Sequence, residues 1–177
     1  MIRKSALGLL LAVGPYIMAK ENSFSSIFGV EAGYIDTNYN APGSAGGVSE
    51  NVSTGYVGLK LGGEEGAVRF LLDGAIWHTD DYNYAGRIGG SLQYVYRMAK
   101  TFDLFFGAAF GGANSVGRTN VNLYYGAEGG LDVALSGGWW LQAGGRYGDV
   151  DEGSDDQCIR DFSQLFLAVI YKFGERQ

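Results

Sequence analysis

From Ile27 onward, apolar residues recur at every second position in eight separate runs. That period belongs to a strand with one oily face, whereas a helix repeats its apolar positions every three or four residues. The runs are Ile27 to Ile35, Gly55 to Gly62, Ala67 to His78, Tyr84 to Met98, Thr101 to Gly112, Asn120 to Leu135, Trp139 to Gly148 and Gln164 to Phe173. In the last, Leu165, Leu167, Val169, Tyr171 and Phe173 share one parity, and Gln164, Phe166, Ala168, Ile170 and Lys172 share the other. The split repeats along the chain. Phe28, Val30, Ala32 and Tyr34 oppose Glu31; Val57, Leu59 and Leu61 oppose Lys60; Val68, Phe70, Leu72 and Ile76 oppose Arg69 and Asp73. Ile88, Leu92, Tyr94 and Tyr96 oppose Arg87, Ser91 and Gln93; Phe102, Leu104, Phe106, Ala108 and Phe110 oppose Asp103 and Phe105. Val121, Leu123, Tyr125, Ala127, Leu131 and Val133 oppose Asn122, Glu128 and Asp132; Trp139, Leu141, Ala143 and Tyr147 oppose Gln142 and Arg146.

The connections alternate between longer polar stretches and tight turns. Asp36 to Ser53 is long, Gly63 to Gly66 tight, Asp80 and Asp81 a link, Ala99 and Lys100 short, Asn114 to Arg118 a loop, Ser136 to Gly138 tight and Asp149 to Asp161 long and acidic. This predicts an all-β chain, an eight-stranded antiparallel up-and-down transmembrane β-barrel with its apolar parity toward lipid. Closure follows from the solvent, because an open sheet in hydrocarbon leaves edge amides without partners. Most runs reach or exceed the roughly 9–11 residues that a tilted strand needs to cross. The short turns are expected at the periplasmic end, with both termini.

Composition agrees with that reading. Thirty glycines, 12 tyrosines and 10 phenylalanines stand against two prolines, one cysteine and one histidine in 177 residues, which disfavours both disorder and a helical bundle. The mean hydropathy of -0.02 looks soluble, but lipid and lumen faces average out along each strand of a barrel. Residues 1–19 form a separate object. Arg3 and Lys4 precede the apolar run Ala6 to Val13, and Ala19 precedes Lys20. A secretory signal peptide cut after Ala19 is expected, since the run is far short of the roughly 20 residues of a membrane helix. The barrel domain is then 20–177, with its strands within 26–173. No cysteine stands at the cleavage site to carry a lipid, and Cys158, in an acidic loop, is expected to be incidental.

Charges sort by face. The inward parity carries five acids, Glu31, Asp73, Asp103, Glu128 and Asp132, and five bases, Lys60, Arg69, Arg87, Arg146 and Lys172. A zero balance predicts a paired, hydrogen-bonded interior, because single buried charges are costly. Eight strands enclose a lumen that side chains can fill, and Gly58, Gly89, Gly107, Gly126 and Gly144 are expected to leave room for the arginines. At the periplasmic end of the lipid face, Phe28, Tyr94, Tyr96, Phe102, Trp139, Tyr171 and Phe173 are expected to form an aromatic belt. Without Arg3 and Lys4 the chain has 11 bases and 19 acids, a net charge of -8. In the periplasmic segments Lys20, Arg97, Lys100 and Arg176 cancel Glu21, Glu64, Glu65 and Glu175. The excess therefore lies at the other rim. There Asp36, Glu50, Asp80, Asp81, Asp149, Asp151, Glu152, Asp155, Asp156 and Asp161 face only Arg118 and Arg160. Such a crown repels nucleic acid and suits cations or basic partners.

Reactive motifs are sparse. Counted from Asp149, a calcium loop would need glycine at Ser154 and glutamate at Arg160, so the pattern fails. His78, the only histidine, lies beside Asp80 and Asp81 without an adjacent serine. No catalytic residue, metal site or cofactor is expected.

The chain ends its last run in Tyr171-x-Phe173, which resembles the closing strand of bacterial outer-membrane barrels, although here four residues follow it. With the signal peptide, the alternating connections, the belt and the balanced lumen, Ser26 to Phe173 resembles the small outer-membrane barrels of the OmpA and OmpX type. The resemblance is architectural. It implies residence in the outer membrane among its lipids, insertion by the barrel-assembly machinery, a monomer, and a role in envelope structure or surface interaction without a reaction. No peptidoglycan-binding domain is expected after the barrel. Alternatives are a narrow pore for small solutes or ions, a lipid A-modifying barrel enzyme and a soluble periplasmic barrel. The lipid A deacylases of similar size carry His-x-Ser, where this chain has His78-Thr79-Asp80; Ser53 or Ser115 could approach it in space.

Overall fold

A computed structural model describes residues 24–40, 49–79, 83–115, 121–151 and 159–174. Each run is a strand: β1 (Ser25–Asn40), β2 (Ser49–Glu65), β3 (Val68–Thr79), β4 (Asn83–Ala99), β5 (Phe102–Ser115), β6 (Asn122–Ala134), β7 (Trp139–Val150) and β8 (Ile159–Phe173). Every strand pairs with its chain neighbours, and β8 returns antiparallel to β1, closing the barrel. The Tyr171-x-Phe173 strand is half of that seam, with Tyr171 opposite Phe28 and Phe173 opposite Ser26.

The parity is the one the sequence implies. Leu72, Phe106 and Leu167 are 54%, 60% and 59% exposed, while Arg87 and Glu128 are each 5% exposed. Val30, Leu59, Ile88, Leu92, Leu123 and Leu165 continue the apolar exterior around the wall. A contiguous surface of this kind exceeds what soluble monomers tolerate, and it matches hydrocarbon.

Strand ends depart from expectation in one direction. Asp36 to Ser53, read as a connection, is largely ladder, with Asp36 opposite Ser53, Thr37 opposite Val52 and Asn38 opposite Asn51. Of the acidic stretch Asp149 to Asp161, β7 takes residues through Val150 and β8 takes those from Ile159, so that Asp149 faces Asp161. Beyond the hydrocarbon both faces of a strand meet polar surroundings. The apolar alternation lapses there while the backbone pairing continues. At the other end β2 runs through Gly63 to Glu65, and the turn is Gly66 and Ala67 instead of Gly63 to Gly66. Gly66 takes the positive φ of 61° that this turn requires.

The tight turns 66–67, 100–101 and 135–138 share one end of the barrel with Phe24 and Gly174. The connections at the opposite end, 41–48, 80–82, 116–120 and 152–158, lie outside the described residues, as do residues 1–19 and Cys158. We call the two ends the turn end and the loop end.

The interior is more aromatic than its polar parity suggests. Ile35, Tyr56, Trp77, Phe105, Tyr124, Phe162 and Phe166 belong to one buried cluster reaching the loop end. Ile27, Leu71, Trp140, Ala168 and Ile170 form a second nearer the turn end. The interior glycines serve these rings. A Cβ at Gly89 would overlap the Tyr124 hydroxyl, and one at Gly144 would lie 2.8 Å from the Phe166 ring and 3.0 Å from that of Phe105. Gly107 and Gly126 face carbonyls of the next strand, those of Leu92 and Tyr147, and Gly58 lies against Glu31. The expectation that they make room for arginines is therefore corrected. The guanidiniums extend toward acids on other strands, the space above Gly89 and Gly144 goes to aromatic rings, and that above Gly58 to Glu31.

Candidate functional site: a two-part ion network across the lumen

All ten charged residues of the inward parity are buried. Alternation aims each one at the axis, and the register sets which of them meet. Toward the loop end, Lys60 Nζ lies 3.0 Å from Glu31 Oε2, and Arg87 Nη2 donates to Glu31 Oε1 at 3.0 Å. Arg87 Nη1 also donates to Asp73 Oδ1. Arg146 grips both oxygens of Asp73 at 3.0 Å and donates to Glu128 Oε2 from Nη2 at 2.6 Å and from Nε at 2.8 Å. Three acids thus face three bases. Toward the turn end, Arg69 Nη2 meets Asp132 Oδ2 at 2.5 Å and Arg69 Nε meets Glu64 Oε2 at 2.9 Å. Glu64 also holds Lys172 at 3.2 Å and Arg97 at 3.2 Å.

Two glutamines join the clusters. Gln93 accepts from Arg69 at 3.1 Å and donates to Glu128 at 2.5 Å. Gln142 accepts from Lys60 at 2.9 Å and donates to Asp132 at 2.9 Å. Only a side chain with both an acceptor and donors can sit between a base and an acid in this way. Gln142→Leu is expected to cost about 1–3 kcal/mol, because it takes one buried hydrogen-bond partner from Lys60 and one from Asp132 together. A fall in the guanidinium midpoint of the barrel in vesicles measures it.

Glu64 and Arg97 correct the sequence reading. They were expected to cancel in a periplasmic turn, with the lumen balanced at five acids and five bases. Glu64 is 4% exposed inside the barrel, and Arg97 reaches it from the rim with its side chain 59% exposed. The signal was present, since Lys60, Gly62 and Glu64 share a parity. The pair Gly62-Gly63 suggested a turn, yet Gly62 lies where strand β3 leaves no room for a Cβ, against the Phe70 carbonyl. The network thus gains one acid and one base. Asp103, opposite Asp132 and Arg97 in the ladders, is buried but makes no ion pair among the described residues. The two lysines also rest on rings, Lys60 Nζ 4.0 Å from the centroid of Phe166 and Lys172 Nζ 4.0 Å from that of Trp140, a contact that favours cations.

These contacts span the axis. Lys60 on β2 reaches Gln142 on β7, Arg69 on β3 reaches Asp132 on β6, and Asp73 on β3 reaches Arg146 on β7.

The seven aromatic residues assigned to the turn-end belt all point outward. Trp139 and Tyr171 meet at 4.9 Å, Tyr171 and Phe173 at 4.5 Å, and Phe28 lies beside Tyr171 in the ladder. Tyr94, Tyr96 and Phe102 form the other group, on β4 and β5. At the loop end Ser53 donates to Asp36 at 2.9 Å, Asn38 to Asp161 at 2.6 Å and the Tyr125 hydroxyl to Asp149 at 3.1 Å. Asp151 is exposed. Asp80, Asp81, Arg118, Glu152, Asp155 and Asp156 lie outside the described residues. His78 is exposed, its ring edge-on to Tyr84 at 5.2 Å.

No protein-family model and no curated protein matches the chain. Among solved structures it is similar to Neisserial surface protein A, with a TM-score of 0.64 and 18% identity over 82% of this chain and 97% of that one. It is also similar to outer membrane protein H of P. aeruginosa, with a TM-score of 0.59 and 19% identity over 84% of this chain and 99% of that one. At these identities the shared property is the fold, that of the small eight-stranded outer-membrane barrels.

Proposed function

We propose that the protein is an integral outer-membrane barrel with a plugged, charge-paired lumen, which serves envelope structure or surface interaction through its acidic loop end. The observation that carries this reading is the ion network running from wall to wall. Breaking one buried pair costs about 3–5 kcal/mol, and a continuous path would require several to part at once. With the lumen occupied, the rim is the part of the molecule left to act, and its acids favour cations or basic partners. The wall meets outer-membrane lipid after insertion by the barrel-assembly machinery. His78 serves as an interfacial residue packed on Tyr84, and Ser53, one of the serines in the enzymatic alternative, gives its hydroxyl to Asp36.

Planar-bilayer recording tests the plug. Small, rare events are expected from the wild type; large, steady single-channel currents that change on Arg87→Glu or Glu128→Lys would establish a pore instead. Lipid A mass spectra of overproducing cells are expected to be unchanged. A new lipid A species lost on His78→Ala would establish an enzyme. Extraction only by detergent, with heat-modifiable gel mobility, is expected, and release by salt or sonication would indicate a soluble barrel.

A further inference from the structure

Where the aromatic cluster of the loop end meets the ion network, four buried polar atoms have no hydrogen-bond partner among the described residues. They are the hydroxyls of Tyr56 and Tyr124, Nε2 of Gln164 and Oε2 of Glu31. None of these residues is more than 4% exposed. Buried polar groups are paired in the great majority of folded proteins, so four at one level of the lumen call for a cause.

The four lie around one guanidinium. Arg87 Nε donates to Gln164 Oε1 at 3.2 Å, and Arg87 Nη2 donates to Glu31 Oε1 at 3.0 Å. The first bond engages the Gln164 carbonyl and leaves its amide hydrogens to be given elsewhere. Glu31 Oε2 faces Lys60 Nζ at 3.0 Å, but off the direction of a hydrogen bond. Tyr56 stands opposite Gly33 in the ladder with β1, and a Cβ on that glycine would lie 2.9 Å from the Tyr56 ring. Glu31 and Gly33 share the inward parity of β1. The Tyr124 hydroxyl lies over Gly89, which shares the inward parity of β4 with Arg87. Both hydroxyls are within electrostatic reach of Arg87.

We propose that these four groups hold an internal hydration site, in which water accepts from the two hydroxyls and the Gln164 amide and donates to Glu31. The inventory of donors and acceptors selects the ligand. An anion would suit the hydroxyls and the amide but would meet the Glu31 carboxylate, and a cation would meet Arg87 and the amide hydrogens. Water both gives and takes hydrogen bonds and brings no charge. The donor groups outnumber what a single water accepts, so about two molecules complete the site. The water joins the two parts of the interior, because Tyr56 and Tyr124 belong to the aromatic cluster, and Gln164 and Glu31 to the ion network.

Equilibrium unfolding of the full chain in vesicles tests the sign. Removing a buried hydroxyl that has no partner relieves a desolvation cost, so Tyr56→Phe or Tyr124→Phe would raise the denaturant midpoint of a dry site. A hydrated site gives the opposite. Each substitution is expected to lower the midpoint, and the two together to lower it by less than their sum, because the first already loosens the shared water. Unchanged, raised or strictly additive midpoints would overturn the proposal. The second measurement is water-edited solid-state NMR of the barrel in lipid. Magnetisation is expected to pass from water to the Gln164 side-chain amide, and to fall in the doubly substituted chain while heat-modifiable mobility is retained. A Gln164 amide that receives none would show the site to be dry. A chloride-dependent midpoint that Tyr124→Phe abolishes would assign it to an anion instead.

Discussion

Asp73→Ala is expected to lower the unfolding free energy by about 3–5 kcal/mol, the cost of leaving a buried ion without its partner. Asp73 is the carboxylate that Arg87 and Arg146 share, and those residues are 5% and 3% exposed. Removing it leaves Glu31 and Glu128 facing Lys60, Arg87 and Arg146. The excess positive charge then stays on side chains that are almost fully buried. Asp73→Leu combined with Arg146→Met restores two acids against two bases, and is expected to recover most of the loss, since a buried pair exchanged for apolar groups is often neutral. Equilibrium unfolding in vesicles, followed by tryptophan fluorescence, reads both variants. An undiminished midpoint for Asp73→Ala would mean that the guanidiniums are solvated rather than paired.

Leu72→Arg is expected to cost about 2–4 kcal/mol, against about 0–1 for His78→Arg on the same strand and face. The contrast is one of depth. Leu72 lies midway along β3, opposite Leu61 and Gly90, whereas His78 lies next to its loop-end terminus. A guanidinium at His78 reaches the interface, and one at Leu72 must stay in hydrocarbon or thin the bilayer. The same unfolding assay measures the difference. Equal, small costs at both positions would put this face of the barrel in water.

How much of this could be read in advance varies along each strand. Within the hydrocarbon a step from one residue to the next changes surroundings, so the faces of Leu72 and Asp73, or of Leu59 and Lys60, are written in adjacent letters. Above it, at Thr37, Asn38, Val52 and Ser53, the apolar alternation lapses and the pattern is silent, although the ladder continues. The extension of β1 and β2 to Asn40 and Ser49 was hidden for that reason. The inward position of Lys60, Asp73 and Arg146 was legible. That Lys60 would meet Glu31 and Gln142, and Arg146 would meet Asp73 and Glu128, was not. Glu31 and Glu128 come from the next strand in each case, whereas Gln142 and Asp73 come from strands far apart in the chain, brought together by stagger and closure.

Local alternation alone, then, determined the eight strands, the two environments of their side chains and the class of barrel, because a period of two on a pleated backbone leaves a side chain only two directions to take. Tertiary structure decided the rest: Glu64 as an interior acid, glycines as seats for Tyr124, Phe105 and Phe166, two glutamines as links, and the level at Tyr56 where the pairing of β2 with β3 ends among the described residues. Each of these depends on which residues of different strands share a height, and that is set by the shear of the closed sheet.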